Sequence, residues 1–292
     1  MQPIITCLLD GRYPLAEGLT WDDVTGTLLF CDILGKNIHA YDWDTESLQT
    51  WSFPKKVGSF GLCKDGRLIV AMLDEIILFD RTTKFYDQLA PIEQDNPRTR
   101  LNDGKVGPDG AFWVGTMDDQ TPREPIASLY RIAPDGQVTR HATDLKTSNG
   151  LSWSPDGKTM YHSDTGPGWV DAYDFEPKTG ELSNQHRFLQ LDNTVGRPDG
   201  AAVDVDGNYW SAGVSAGNLN CFSKDGEMLH SIPMPVPRPT IPCFAGHDLS
   251  TLVTASLRPP EGDPLLEQFP KSGGLFAFKA QAKGLPPYRF GS

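Results

Sequence analysis

The sequence predicts an all-β fold, a six-bladed β-propeller with a central channel, on three observations. A turn followed by a short apolar strand recurs six times, the recurrence has the length of a propeller blade, and helical periodicity is missing. The copies are Thr25-Gly26 before Thr27–Asp32, Asp65-Gly66 before Arg67–Met72, Asp109-Gly110 before Ala111–Thr116, Asp156-Gly157 before Lys158–Ser163, Asp206-Gly207 before Asn208–Gly213, and a degenerate Leu249-Ser250 before Thr251–Ser256. Successive turns stand 40 to 50 residues apart, room for four short strands and their connections. No stretch of 12 or more residues spaces its apolar side chains at i, i+3, i+4 and i+7 without an intervening Gly, Pro or Asn, which argues against helical layers.

Each unit carries a further strand after its first hairpin. These are Asn37–Asp42, Ile76–Asp80, Ser128–Ile132, Trp169–Asp174, Asn218–Phe222 and Gly274–Phe278, all rich in aromatic and branched residues. Ile4–Leu9 precedes the first repeat and has no blade of its own. It is expected to add a strand to the last blade, closing the ring and covering two exposed strand edges. Residues 1–292 are read as a single propeller domain.

Composition narrows the function. Gly 29 and Pro 24 in 292 residues are about 18%, against roughly 12% in average proteins, and the excess fits a chain of many turns. Lys and Arg number 26 against 38 Asp and Glu, a formal charge of −12, which disfavours nucleic acid and anionic membranes as partners. The longest apolar run, Leu68–Leu73, is six residues, far below the ~20 that span a bilayer. Met1–Cys7 lacks a basic stretch followed by a long apolar one, so a cytoplasmic location is the expectation. Cys7, Cys31, Cys63, Cys221 and Cys243 form no C-x-x-C pair, and the six histidines show no metal-binding spacing. His162 is read as a packing residue.

Three units contain a second turn signal upstream of the hairpin, in Asn102-Asp103-Gly104, Ser148-Asn149-Gly150 and Pro198-Asp199-Gly200. Eight residues before the hairpin Gly stand Asn102, Asn149 and Asp199, and the first repeat places Glu17 at nine. The other two blades give Gly58 and Pro242. Innermost strands run along the channel, so equivalent starts form a ring around one axis. Asn and Asp before Gly are ordinary turn formers, but oxygen donors at one register in four units, with Glu17 outside any favoured turn, point to a shared site. Carboxylate and amide oxygens without His or Cys suit a hard cation, Ca²⁺, Mg²⁺ or Mn²⁺; Zn²⁺ stands open but is not selected by softness.

Leu15-Ala16-Glu17-Gly18-Leu19-Thr20-Trp21, Arg100-Leu101-Asn102-Asp103-Gly104-Lys105 with Gly115-Thr116-Met117, Ser148-Asn149-Gly150-Leu151 and Arg197-Pro198-Asp199-Gly200 resemble the regucalcin/gluconolactonase family, in order and over essentially the whole chain. The resemblance implies a six-bladed propeller, one divalent cation in the channel and hydrolysis of a sugar lactone. It implies Glu17, Asn149 and Asp199 as metal ligands, Asp199 also as the catalytic acid/base, and Arg100 and Asn102 as sugar contacts. Where the family has a further acidic substrate contact, this chain has Gln120, to which no role is assigned. In the related diisopropylfluorophosphatase-type propellers an Asn at the Asn102 position approaches calcium, so both roles stand open for it. Arg100, two residues earlier on the same side of an extended strand, favours the sugar-binding version, its alternative being an inter-blade salt bridge.

The expected reaction is metal-dependent hydrolysis of an aldonolactone such as a glucono-, galactono- or pentonolactone. The metal polarises the carbonyl while Asp199 acts as general base and then acid. No G-x-S-x-G elbow supports a serine esterase. The alternatives are a phosphotriesterase or other metal-dependent esterase, and a non-catalytic calcium-binding propeller. Pro233–Pro242 is read as an inter-blade loop, and residues 118–126, 164–169 and 257–270 as loops at the channel mouth.

Overall fold

The computed structural model describes residues 3–291. Strand β1 (Thr6–Leu9) stands apart from the first blade, which comprises β2 (Ala16–Asp22), β3 (Thr27–Asp32), β4 (Asn37–Asp42) and β5 (Leu48–Ser52). The second blade is β6 (Val57–Leu62), β7 (Leu68–Met72), β8 (Glu75–Phe79) and β9 (Tyr86–Pro91). The third is β10 (Thr99–Val106), β11 (Phe112–Asp118), β12 (Ala127–Ile132) and β13 (Val138–Leu145). The fourth is β14 (Ser148–Trp153), β15 (Thr159–Asp164), β16 (Trp169–Phe175) and β17 (Leu182–Gln190). The fifth is β18 (Pro198–Val203), β19 (Tyr209–Gly213), β20 (Asn218–Phe222) and β21 (Met228–Pro233). In the sixth, β22 (Pro239–Ala245), β23 (Thr251–Ser256) and β24 (Leu275–Lys279) are completed on the outside by β1. The six four-stranded sheets are the six expected blades, and the N-terminal strand closes the ring as expected.

The repeated second strands are apolar because each is covered on both faces. Strands β7, β11, β19 and β23 are buried at every residue. The fourth strands, on the rim, are mostly exposed. The apolar clusters lie between blades rather than within them: Leu29, Ile38, Phe60 and Val70 join the first and second, and Trp113, Leu129, Leu151 and Trp153 join the third and fourth. The same holds around the ring to Ala16, Leu28, Val253 and Leu275, which join the sixth to the first.

One end of the channel is crossed by the C-terminal segment. Lys283 O accepts from Val205 N at 2.9 Å, Gly284 N donates to Leu249 O at 2.9 Å, and Phe290 N donates to Leu62 O at 2.8 Å. Arg289 Nη2 pairs with Asp22 Oδ1 at 2.8 Å and Asp23 Oδ1 at 2.6 Å. Beneath the segment lies a cavity of about 110 Å³ lined mainly by the ends of the inner strands, among them Trp21, Phe60, Val106, Trp153 and Phe244, and by Leu285 and Tyr288.

Three sequence readings need correction. The loop 257–270 contains a short helix, α1 (Pro264–Gln268), capped by Asp263, whose Oδ1 accepts from Leu265 N at 2.9 Å; one turn is too short to show a periodicity. Pro233–Pro242 is a loop only in its middle: β21 ends at Pro233, and Pro239–Pro242 belongs to β22. In the sixth blade the register residue is Thr240 rather than Pro242, because Pro239 pairs with Ser256 as Pro198 pairs with Gly213. The degenerate Leu249-Ser250 turn carries no Gly at the matching place, and counting eight back from Ser250 stops two residues short. Among the described residues no helix is long and apolar enough to cross a membrane.

Candidate functional site

Every inner strand is interrupted near its start. The ladder skips between Glu17 and Thr20 in β2, Leu101 and Gly104 in β10, Asn149 and Ser152 in β14, and Pro198 and Ala201 in β18. Each skip is a bulge, which unpairs the backbone and re-aims side chains. The upstream Asn-Asp-Gly-like signals are therefore bulges, not turns. Gly150 shows why the Gly is there: its φ is +65°, and a Cβ would meet Ser163 Oγ at 2.5 Å and Tyr209 Oη at 2.6 Å. Gly58 meets a different demand. A Cβ there would stand 2.4 Å from Leu101 O, so the second blade gives up a side chain at the ring to let β10 approach.

Glu17, Asn102, Asn149 and Asp199 all start inner strands at this end, Glu17 partly buried and the other three buried. A continuous hydrogen-bond chain links three blades. Arg100 Nη1 donates to Asn102 Oδ1 at 2.8 Å, and Asn102 Nδ2 donates to Asn149 Oδ1 at 2.9 Å and to Ser148 O at 3.0 Å. Asn149 Nδ2 donates to Thr165 Oγ1 at 2.7 Å, and Thr165 Oγ1 donates to Pro198 O at 2.6 Å. Asn102 thus has its oxygen engaged by Arg100 and its nitrogen by the fourth blade. Arg100 also donates from Nε to Asp119 Oδ1 at 3.0 Å, while its Nη2 has no protein partner among the described residues.

The carboxylates behave differently. Among the described residues neither Glu17 nor Asp199 is in a salt bridge. Burial, then the charges of Asp199 and Asp103, push Glu17 well above the usual carboxylate range. Burial and then Asp103 raise Asp199. Asp103 is a third acid that the sequence reading passed over as part of a turn; burial raises it too, against the opposing Lys105, and its Oδ2 accepts from Leu151 N at 3.2 Å. Lys105 donates to Ala201 O at 2.7 Å and is itself lowered by burial. Ser148 and Thr165 were also missed because their contacts run between blades, and Asp119 because it meets Arg100 only once β11 is paired with β10.

A cluster of acids that raise one another is a place where a cation would be welcome. Among the described residues no three His, Cys, Asp or Glu side chains form a metal cluster by themselves. The candidate set joins two carboxylates, Glu17 and Asp199, to the amide oxygen of Asn149, and this all-oxygen set fits a hard divalent cation. Asp103 adds one negative charge and Lys105 one positive, so the balance of two carboxylates against a dication is kept.

A serine mechanism finds no footing here. Ser148 Oγ lies 2.8 Å from His162 Nε2, but both residues are sealed inside the fourth blade with no exposed surface. Burial lowers His162 to about 4. Asp171, opposite His162 in the ladder, is taken by Gln185 and Arg187. Gln120 is exposed, and the acid beside Arg100 is its neighbour Asp119, which also pairs with Lys56 at 2.6 Å.

Residues 15–258 match the model of the SMP-30/gluconolactonase/LRE-like region. Regucalcin of Xenopus laevis is 32% identical over 292 residues, covering 98% of each chain. A crystal structure of a calcium-binding protein, regucalcin, from Agrobacterium tumefaciens superposes with a TM-score of 0.93 at 28% identity, covering 99% of this chain and 98% of that one. A luciferin-regenerating enzyme superposes with a TM-score of 0.91 at 27% identity, covering 99% and 100%.

Proposed function

The chain belongs to the SMP-30/gluconolactonase/LRE-like family, and from that premise we propose that it is a metal-dependent hydrolase that opens a sugar lactone to the aldonic acid. The observation that carries the reading is that Glu17, raised by burial and by the charge of Asp199, stands at the channel end where Asn149 also starts its strand, beside an arginine with an unused nitrogen. Glu17, Asn149 and Asp199 would hold the cation. When bound, it supplies Lewis-acid polarisation of the lactone carbonyl and offsets the charge that develops on its oxygen.

The chain's own groups do the rest. Asp199 takes a proton from the attacking water at its carboxylate as the new C–O bond forms. It returns that proton to the ring oxygen as the acyl–oxygen bond breaks, leaving a carboxylic acid and a free hydroxyl. Burial raises the proton affinity of Asp199, the direction a general base needs. Arg100 is held by Asp119 through Nε and by Asn102 through Nη1, which leaves Nη2 to donate to a sugar oxygen. Asn102 then acts on the sugar side through Arg100 rather than as a ligand, because its oxygen faces the positively charged guanidinium.

The test is a turnover screen of glucono-, galactono- and pentonolactones and one organophosphate, after chelation and after adding Ca²⁺, Mg²⁺, Mn²⁺ or Zn²⁺ singly. Metal-restored lactone hydrolysis is expected. Turnover of the organophosphate alone moves the reading to a phosphotriesterase. Cation binding without turnover of any lactone moves it to a non-catalytic calcium-binding propeller.

A further inference from the structure

The hydrogen-bond chain through the site has its proton directions fixed from both ends. Arg100 can only donate, so the Asn102 atom facing it at 2.8 Å is the oxygen, and the nitrogen faces Asn149. At the other end the Pro198 carbonyl can only accept, so Thr165 spends its single proton on it at 2.6 Å. Thr165 then has only lone pairs left for Asn149, which must present its NH₂ to Thr165 at 2.7 Å. Both constraints put the oxygen of Asn149 toward Asn102, away from the loop, and its nitrogen against the loop.

Thr165 is well placed to impose this. It is buried and follows β15 in the loop toward β16. Its own N–H donates to Thr147 O at 3.0 Å. The preceding Asp164 accepts from Lys146 N at 2.8 Å, Thr147 N at 2.9 Å and Gly166 N at 3.0 Å, so the loop is anchored to the start of β14. Its hydroxyl also grips the carbonyl immediately before Asp199. One side chain thus touches the strands of two of the proposed ligands.

We infer that Thr165 is a positioning residue for the cation site: it orients the Asn149 amide with its oxygen away from the loop and ties the start of β14 to the start of β18. The inference rests on the cation site proposed above for its consequence, though not for its geometry. Partners that orient metal ligands typically change affinity by 10-fold to 100-fold when removed.

The test compares wild type, Thr165→Val and Thr165→Ser in two measurements. In the first, Ca²⁺ or Mn²⁺ is titrated calorimetrically into chelated protein. Thr165→Val keeps the shape but loses both hydrogen bonds, and should weaken affinity about tenfold or more; Thr165→Ser should stay within about threefold of wild type, since it keeps the hydroxyl. In the second, selective ¹⁵N-asparagine labelling reads the Asn149 side-chain NH₂ in metal-free protein. Slow solvent exchange is expected in wild type and Thr165→Ser and fast exchange in Thr165→Val. Unchanged affinity together with unchanged exchange in Thr165→Val overturns the inference, as does equal loss in Thr165→Ser. If Thr165→Val fails to fold, the same two readouts on Thr165→Ala decide. If wild type binds no divalent cation, the lactonase reading falls, and Asn149 exchange alone still decides whether Thr165 orients the amide.

Discussion

The two ends of the channel are built from the same six strands and have little else in common. At their starts, β2, β10, β14 and β18 present Glu17, Asn102, Asn149 and Asp199, with the acids lacking any ion-pair partner among the described residues. Four residues on, the same strands present Trp21, Val106, Trp153 and Val203 to the cavity beneath Leu285 and Tyr288. Bulges separate the two regimes. The proposed function sits where the ladder is broken and the acids lack ion-pair partners; stability sits where it is regular and apolar. Mutations at the two ends should therefore separate cleanly into losses of activity and losses of fold.

The largest effect is expected from the closed end. Deleting residues 281–292 removes buried Phe290, partly buried Leu285 and Tyr288, and the Arg289 pairs to Asp22 and Asp23. At about 1.5–3 kcal/mol per buried large apolar side chain, urea unfolding should show a loss of roughly 5 kcal/mol or more. Deleting residues 1–9 unpairs β24 and should lower the whole transition rather than trim it, because every apolar cluster is shared between neighbours. An unchanged midpoint in either deletion would break the division of labour.

Next comes the open end. Asp199→Asn should lower lactone turnover about 10³-fold, while its unfolding free energy stays within about 1 kcal/mol of wild type because no salt bridge or packed apolar group is lost. Phe290→Ala should show the mirror image: a cost of about 3–5 kcal/mol in stability with metal affinity retained. Loss of cation binding in Phe290→Ala would mean that the two ends are coupled.

How much of this could be read from residue order alone follows the same boundary. The blades were legible because turn glycines recur and β3, β7, β11, β15, β19 and β23 are apolar between them, a property of each segment by itself. Glu17, Asn102, Asn149 and Asp199 were legible as a register, because that register is counted along the chain. Asp103 and Lys105 were not, since a buried acid and a half-buried lysine look like a turn and a strand edge until β10 is placed against β14 and β18. Thr165 belonged to a loop placed at the channel mouth, but its partners, Asn149 and Pro198, come from two different blades. The register failed at Thr240 because the turn residue used to count it had drifted.

The smallest expected effect is a pH dependence belonging to the packing rather than the site. Burial lowers His39 and His162 to about 4, whereas an unfolded histidine titrates near 6.5. Both are neutral in the fold, so between pH 6.5 and 4 the unfolded chain binds more protons. The contribution of the two histidines is full above about pH 6.5 and is lost as the pH drops toward 4. The slope should be shallower in His162→Gln, measured by urea unfolding across that range. An equal slope would place the titrating groups elsewhere.

The most direct measurement is calorimetric titration of one divalent cation into chelated wild type and Glu17→Gln, with lactone turnover followed in the same samples. The account predicts one ion per chain in wild type, turnover that rises with occupancy, and loss of both in Glu17→Gln while the fold persists. Lactone hydrolysis at full rate in chelated protein, or a cation held equally well by Glu17→Gln, would contradict it.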